Sequence, residues 1–89
     1  MRESYLEVTY RHGRALAAYL YLPRRAGDKS YRVRRSEPGL LVDYNRTGKP
    51  IGIEITAPTK VSMARLNRLL RALGQSQLKR ADLAPLRAA

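Results

Sequence analysis

The sequence lacks cysteine, phenylalanine and tryptophan, and it contains a single histidine. The absence of cysteine excludes a disulfide framework and any thiolate metal site. No run of about 18 apolar residues is present, so no membrane-spanning helix is predicted. The first residues are charged and have no apolar core of a secretion signal. We therefore expect a cytoplasmic protein, and its 89 residues are enough for one domain.

Acidic residues are also scarce. Seven Asp and Glu stand against 18 Lys and Arg, which gives a net charge of +11, and 14 of the basic residues are arginine. An excess of this size favours an anionic partner, either nucleic acid or an acidic protein surface. An arginine-rich genome would account for the share of arginine but not for the missing acids.

The strongest local signal for the fold is the segment 38–56. Apolar residues 40–42 lead into a polar turn, and isoleucines alternate through residues 51–55 after it. Asn45 can start the turn through its side chain, and Gly48 can take the positive φ that closes it. The segment therefore predicts a β-hairpin.

The register of this hairpin is open to two interpretations. A four-residue loop would pair Val42 with Ile51 and Leu40 with Ile53, which gathers the apolar residues on one face. A loop that ends in a glycine bulge would shift the pairing by one residue and expose the opposite face of one strand. We favour the first register because it forms a coherent core.

Three further segments alternate between apolar and polar residues and predict strands: 5–10, 15–22 and 31–36. A turn at residues 11–14 makes the first two a hairpin. The third is short and basic, so it is predicted near a sheet edge, where charge discourages unwanted pairing. Residues 23–30 contain proline, glycine and charges and predict a loop.

Helical spacing begins after the sheet. Apolar residues recur over residues 61–73, with Thr59 as the predicted N-cap and Gly74 just after the helix. Ser76 is predicted to cap a short helix over residues 77–83. Pro85 then disfavours continued helix, and the tail to residue 89 is predicted to fray.

These elements predict one α+β domain. It has an antiparallel β-meander of four to five strands, one C-terminal helix packed on one face, and a short extra helix. Residues 1–57 form the sheet, 58–74 the packed helix, and 75–89 the short helix and tail. The face away from the helix would carry Tyr19 and Tyr21, and we expect this exposed face to favour a homodimer.

No catalytic residue, cofactor, metal ion or small-molecule substrate is predicted. His12 lies in a turn, where a solvated side chain is expected rather than a proton-transfer role. Asp43 and Glu54 lie in the central hairpin without a third acid nearby in sequence, so each carboxylate is expected to bind an arginine or a backbone donor. Segment 48–50 lacks the spacing of a phosphate-binding loop. The glycine at position 52, inside a strand, predicts close approach by a neighbouring group.

Two groups of arginines are candidate contacts for nucleic acid or an acidic partner. One is a belt around the loop before the central hairpin, formed by Arg32, Arg34 and Arg35 with Arg24, Arg25 and Lys29. The other is a stripe on the helix, formed by Arg65, Arg68 and Arg71. Six tyrosines lie between residues 5 and 44. Tyrosine beside arginine can stack on a base while the guanidinium holds a phosphate. Equally, tyrosines cover sheet faces in proteins that bind no nucleic acid, and basic runs can be solvated.

The segment 42–55, V-D-Y-N-R-T-G-K-P-I-G-I-E-I, resembles the motif V-D-x-D-x-x-G-x-x-x-G-I-E-I of a bacterial family of small domains of unknown function, family number 2283. The resemblance covers residues 4–57 and includes the strand at residues 17–22. Five positions carry the motif: Asp43, Asn45, Gly48, Gly52 and Glu54. The chain departs from the family's usual acids at Arg11, Leu16 and Asn45, which argues against a shared metal site.

The resemblance implies a partner-binding role. The family has no established reaction, and some members are encoded beside small toxin-like proteins. We therefore expect a non-enzymatic interaction protein, antitoxin-like, whose partner is another protein or a second copy of the chain. The alternative is a basic DNA- or RNA-binding protein. No membrane contact is expected.

Overall fold

The computed structural model describes residues 3–87 and contains one five-stranded antiparallel sheet with helices after it. The strands are β1 (Tyr5–Arg11), β2 (Arg14–Tyr21), β3 (Arg32–Glu37), β4 (Leu40–Tyr44) and β5 (Pro50–Ile55). A 3₁₀ turn (Pro58–Lys60), helix α1 (Met63–Ala72), a second 3₁₀ turn (Arg80–Leu83) and helix α2 (Ala84–Arg87) follow. The predicted α+β fold, a sheet of consecutive antiparallel strands with a helix on one face, is confirmed.

The strand order across the sheet is β1-β2-β5-β4-β3. Strands β1 and β2 form one hairpin, and β3, β4 and β5 form a three-stranded meander. Four residue pairs, from Ala18–Ile55 to Tyr21–Gly52, join β2 to β5. The connection after β2 therefore passes β5 and β4 to reach the far side of the sheet, and β3 is an edge strand, as predicted.

A two-residue turn connects β1 to β2. His12 and Gly13 have φ values of 54° and 76°, and positive φ at both central residues is the property of a type I′ turn. This turn matches the right-handed twist of the strands, so pairing continues up to Arg11 and Arg14. The predicted hairpin is confirmed, and each strand extends one residue further into the turn than predicted.

The turn of the central hairpin forms as its sequence predicts. The Asn45 side-chain oxygen accepts hydrogen bonds from the Thr47 N–H at 3.0 Å, the Thr47 hydroxyl at 2.9 Å and the Lys49 N–H at 2.9 Å. Gly48 has a φ of 88°, which a side chain would disfavour. One amide side chain thus organises the whole turn.

The favoured register of this hairpin is wrong. Val42 pairs with Ile53 and Leu40 with Ile55, two positions beyond the prediction. The pair Tyr44–Pro50 next to the turn is already one position beyond it, and the register shift between Asp43 and Tyr44 adds the second. A shift of two residues keeps each side chain on its face. The prediction that the apolar residues share one face is therefore confirmed, although their partners differ.

Helix α1 begins later than predicted, and Thr59 is not its N-cap. Residues 58–60 form a 3₁₀ turn instead, and Ser62 caps α1 by accepting a hydrogen bond from the Arg65 N–H at 3.1 Å. The end is as predicted. Gly74, with a φ of 72°, follows the helix, and its N–H and that of Gln75 donate to carbonyls of the last turn.

The predicted short helix over residues 77–83 is wrong in position, and Ser76 does not cap it. Residues 75–79 have no regular secondary structure, because the side chain of Asn67 on α1 binds both backbone groups of Leu78, at 2.7 and 3.1 Å. Pro85 lies inside α2, where its missing N–H falls in the first turn. The predicted fraying at residues 88–89 lies outside the described residues.

The core lies between the sheet and α1. Its buried members come from the three inner strands, from α1, from the second 3₁₀ turn and from the segments next to them: Ala18, Leu20, Leu22, Leu40, Val42, Ile51, Ile53, Ile55, Leu66, Leu69, Leu70, Leu78 and Leu83. Among residues 3–85, whose burial the structure describes, no polar or charged residue is buried. The opposite side of the sheet, which we call the outer face, carries Tyr5, Tyr19, Tyr21 and Asp43, so the predicted placement of tyrosines there is confirmed.

Candidate functional site

The arginine belt before the central hairpin is divided between two faces. On β3, Arg34 pairs with buried Val42, whereas Arg35 pairs with Leu41, whose side chain points to the outer face. Arg32, two residues before Arg34, shares the helix-bearing side. All three arginines are exposed. These three arginines of the belt therefore do not share one face, since neighbouring residues of a strand alternate between its faces.

The helix stripe is not uniform either. Arg65 Nε donates to a Glu37 carboxylate oxygen at 2.6 Å, and its Nη2 donates to the Pro38 carbonyl at 3.0 Å. This half-buried arginine fixes the start of α1 to the β3–β4 turn. With its oxygen turned toward the guanidinium, the Gln77 amide accepts hydrogen bonds from Arg71 at 2.9 and 3.0 Å. Arg68 is exposed. Arg65 thus has a structural contact that the spacing did not reveal.

The structure places an unpredicted pair beside Arg32 and Arg34. Tyr31 is 59% exposed, and the guanidinium carbon of Arg46 lies 5.2 Å from the centroid of its ring. The Tyr31 N–H donates to the Tyr44 carbonyl at 2.8 Å, which fixes the backbone next to β4. An exposed aromatic ring is thereby held beside a cation at the edge of the sheet.

Two open clefts meet at this pair. The first, of about 380 Å³, is lined by Gly27, Asp28, Lys29, Ser30, Tyr31, Asn45, Arg46 and Thr47. The second, of about 300 Å³, is lined by Tyr31, Arg32, Arg34, Tyr44, Asn45, Arg46, Thr47 and Gly48. Four cations and one carboxylate line them together. We call Lys29, Tyr31, Arg32, Arg34 and Arg46 the Tyr31 surface.

The single carboxylate in these clefts is already bound within the protein. Asp28 accepts hydrogen bonds from the Arg25 N–H at 3.0 Å and from the Asn45 amide at 3.3 Å, and these bonds lower the pKa of Asp28. The Asn45 bond ties loop 23–31 to the central turn. This bond therefore holds the two loops that line the clefts together. The Asp28 carboxylate, the one negative charge among the lining residues, already accepts two hydrogen bonds within the protein.

The outer face holds a separate polar cluster. The Tyr19 hydroxyl donates to Asp43 at 2.6 Å, while the Tyr5 and Tyr21 rings stack with centroids 4.4 Å apart. The guanidinium carbon of Arg24 lies 5.2 Å from the Tyr21 centroid. Asp43 thus binds a phenol, a partner that the sequence did not predict.

Gly52 lies directly beneath this phenol. An added Cβ atom at position 52 would lie 1.8 Å from the Tyr19 hydroxyl oxygen. The predicted close approach to Gly52 is therefore confirmed, and the Tyr19 ring makes it. Glu54, two residues along β5, is exposed on the same outer face.

Tyr19 is expected to ionise late in an alkaline titration. Burial, and then the hydrogen bond to Asp43, raise the pKa of Tyr19 from 10.0 to about 12. Because the folded value exceeds the unfolded one, the stabilisation is fully present below pH 10 and is lost as the pH rises toward 12. Near-ultraviolet absorbance of phenolate should show a late phase that Tyr19→Phe removes and Asp43→Asn moves to lower pH. A late phase that persists in Tyr19→Phe would contradict this assignment.

The remaining candidate groups lie apart from one another. His12 is exposed at the tip of the β1–β2 turn, on the side of the sheet opposite β3. Within residues 3–87, no three His, Asp or Glu side chains are grouped as metal ligands would be. None of the helices described is long and apolar enough to cross a membrane.

Comparison with known proteins gives no relative. No family model, no curated protein and no solved structure matches the chain. The family resemblance based on the hairpin motif therefore stays a prediction. Three members of the Tyr31 surface, Lys29, Arg32 and Arg34, belong to the belt that the sequence predicted. The sequence did not reveal the contact of Arg46 with Tyr31, because it depends on the pairing of β3 with β4.

Proposed function

We propose that this protein is a non-enzymatic cytoplasmic binding protein whose partner is an anionic macromolecule, and that the Tyr31 surface is the contact. The observation that carries the proposal is the grouping of Lys29, Arg32, Arg34 and Arg46 around two adjoining clefts. Their charges act together, since four cations and one internally bound carboxylate leave a local excess of three positive charges.

The chemistry of the surface suits a polyanion. Arginine presents planar donors that match phosphate and carboxylate oxygens in two-point contacts. The net charge of +11 adds long-range attraction. Three or four phosphate contacts on a single strand would give a slope of log K against log salt of about −2 to −3. Affinity should then fall about 20- to 50-fold between 50 and 200 mM salt.

A salt titration with matched charge-reversal variants tests this proposal. Arg32→Glu combined with Arg34→Glu should weaken binding of a fluorescent oligonucleotide at least ~10-fold and make the salt slope shallower. The control combines Arg11→Glu with Arg14→Glu, which changes net charge equally in the β1–β2 hairpin at the opposite end of the sheet. Equal losses in both double variants, or binding independent of salt, would refute the proposal.

A second candidate is a protein partner that binds the outer face, either the antitoxin-like partner implied by the family resemblance or a second copy. Tyr5 and Val33 favour it, since these side chains on the outer face are 50% and 51% exposed. The affinity for such a partner would change little with salt concentration, and little in either of the two double charge-reversal variants. A monomer in sedimentation at high micromolar concentration would count against the homodimer.

A further inference from the structure

We infer that the Tyr31 surface binds single-stranded nucleic acid, with one base stacked on the Tyr31 ring and the neighbouring phosphates held by the arginines on either side. The inference rests on the proposed function and names the class of anion. It assigns separate roles to the aromatic ring and to the charges, so the two roles can be removed independently.

The exposure of Tyr31 is the first argument. Tyr31 is the most exposed of the large apolar residues in the part of the chain whose burial the structure describes, at 59%. It contributes nothing to the core cluster. Other exposed tyrosines have partners within the fold: Tyr5 stacks on Tyr21 of the neighbouring strand, and the Tyr10 hydroxyl donates to the Pro85 carbonyl in α2. The contact of Tyr31 is a cation, Arg46, which leaves ring surface open to a ligand.

The position of the charges is the second argument. Tyr31 and Arg46 line both clefts, while Lys29 lines the first and Arg32 and Arg34 line the second. A base on the Tyr31 ring would thus lie where the clefts meet, and the chain leaving it on each side would enter a cleft that contains cations. Stacking combined with a positively charged path is how proteins bind single strands without reading sequence.

The Tyr31 ring also favours a single strand over a duplex or an acidic peptide. In a duplex, the faces of the bases are stacked on one another and are not available to a side chain, whereas unstacked bases of a single strand are. An acidic peptide could pair with the arginines but would gain little from an exposed phenol. The surface is also preorganised, because Asn45 binds Asp28 across the loops that form its walls.

The test compares affinities for single-stranded dT₁₀ and rU₁₀, a duplex of ~10 base pairs and a poly-glutamate peptide. Tyr31→Ala should weaken binding of the single strands about 5- to 100-fold and leave the salt slope unchanged. Tyr31→Phe should bind within ~3-fold of the unmodified protein, because the ring is kept. Tyr10→Ala, which removes another exposed tyrosine on β1, is the matched control and should bind normally. The dT₁₀ and rU₁₀ measurements tell DNA from RNA as the source of the strand.

The outcomes separate this inference from the proposed function. If Tyr31→Ala binds single strands as tightly as the unmodified protein, or if the duplex or peptide binds as tightly as the single strands, the inference is refuted. In that case a loss of affinity in the Arg32 and Arg34 variant would still support an anionic partner. Thermal unfolding of each variant, monitored by circular dichroism, ensures that the compared proteins are folded.

Discussion

Substitution of Gly52 by alanine should destabilise the protein by about 2–4 kcal/mol. The new Cβ atom would lie 1.8 Å from the hydroxyl oxygen and 2.2 Å from the Cζ atom of Tyr19, so the ring must move. Overpacking typically costs about 1–3 kcal/mol, and displacement of the ring also breaks the 2.6 Å hydrogen bond to Asp43, a bond to a charged acceptor. Chemical denaturation of the two proteins measures the difference.

A double-mutant cycle gives the control for this prediction. In a Tyr19→Ala background the ring is absent, and Gly52→Ala should then be neutral or stabilising, because glycine inside a strand costs about 0.5–1 kcal/mol relative to alanine. Equal destabilisation by Gly52→Ala in both backgrounds would mean that the tyrosine does not limit the size of residue 52. The cycle therefore tests the contact itself and not only the tolerance of the strand.

Leu70→Ala should destabilise the protein by about 2–5 kcal/mol, because Leu70 is fully buried between α1 and the sheet and its truncation leaves a cavity. The loss is large against the roughly 5–15 kcal/mol stability of a typical domain. Arg68→Ala, an exposed change on the same helix, should alter stability by no more than about 0.5 kcal/mol.

Leu70→Met provides a second variant if the alanine protein does not fold. It conserves volume and should cost less than about 1.5 kcal/mol. Denaturation midpoints in the order unmodified, Leu70→Met, Leu70→Ala are expected. Similar effects of Arg68→Ala and Leu70→Ala would show that α1 does not cover the sheet as described.

Local chemistry made the hairpin turns, the five strands and the main helix predictable. Asn45 binds backbone groups within four residues of itself, and Gly48 supplies the positive φ, so the central turn could be predicted from its own residues. Its register does not, because alternation with a period of two looks the same after a shift of two. The favoured register and the observed one both gather the isoleucines on one face. The irregularity between Asp43 and Tyr44, which contributes to the difference between them, has no marker in the sequence.

The errors in the helical region and in the site have a different cause. Thr59 and Ser62 are both suitable N-caps, and the choice depends on where the chain leaves the sheet. Arg34 and Arg35 were grouped by charge alone. The alternation of residues between the faces of a strand separates them, and this alternation was visible in the sequence. The contact of Arg46 with Tyr31, in contrast, depends on the pairing of β3 with β4 and could not be read from either segment alone.

The edge strand β3 has a consequence for the behaviour of the protein in concentrated solution. The edge of a sheet offers unpaired backbone groups that can template the addition of a strand from another molecule, and charged side chains oppose such growth. Because Arg32, Arg34 and Arg35 lie on this strand, two copies that approach by this edge repel each other. The guanidinium groups that we propose as contacts for an anionic partner thus also oppose growth of the sheet into fibrils.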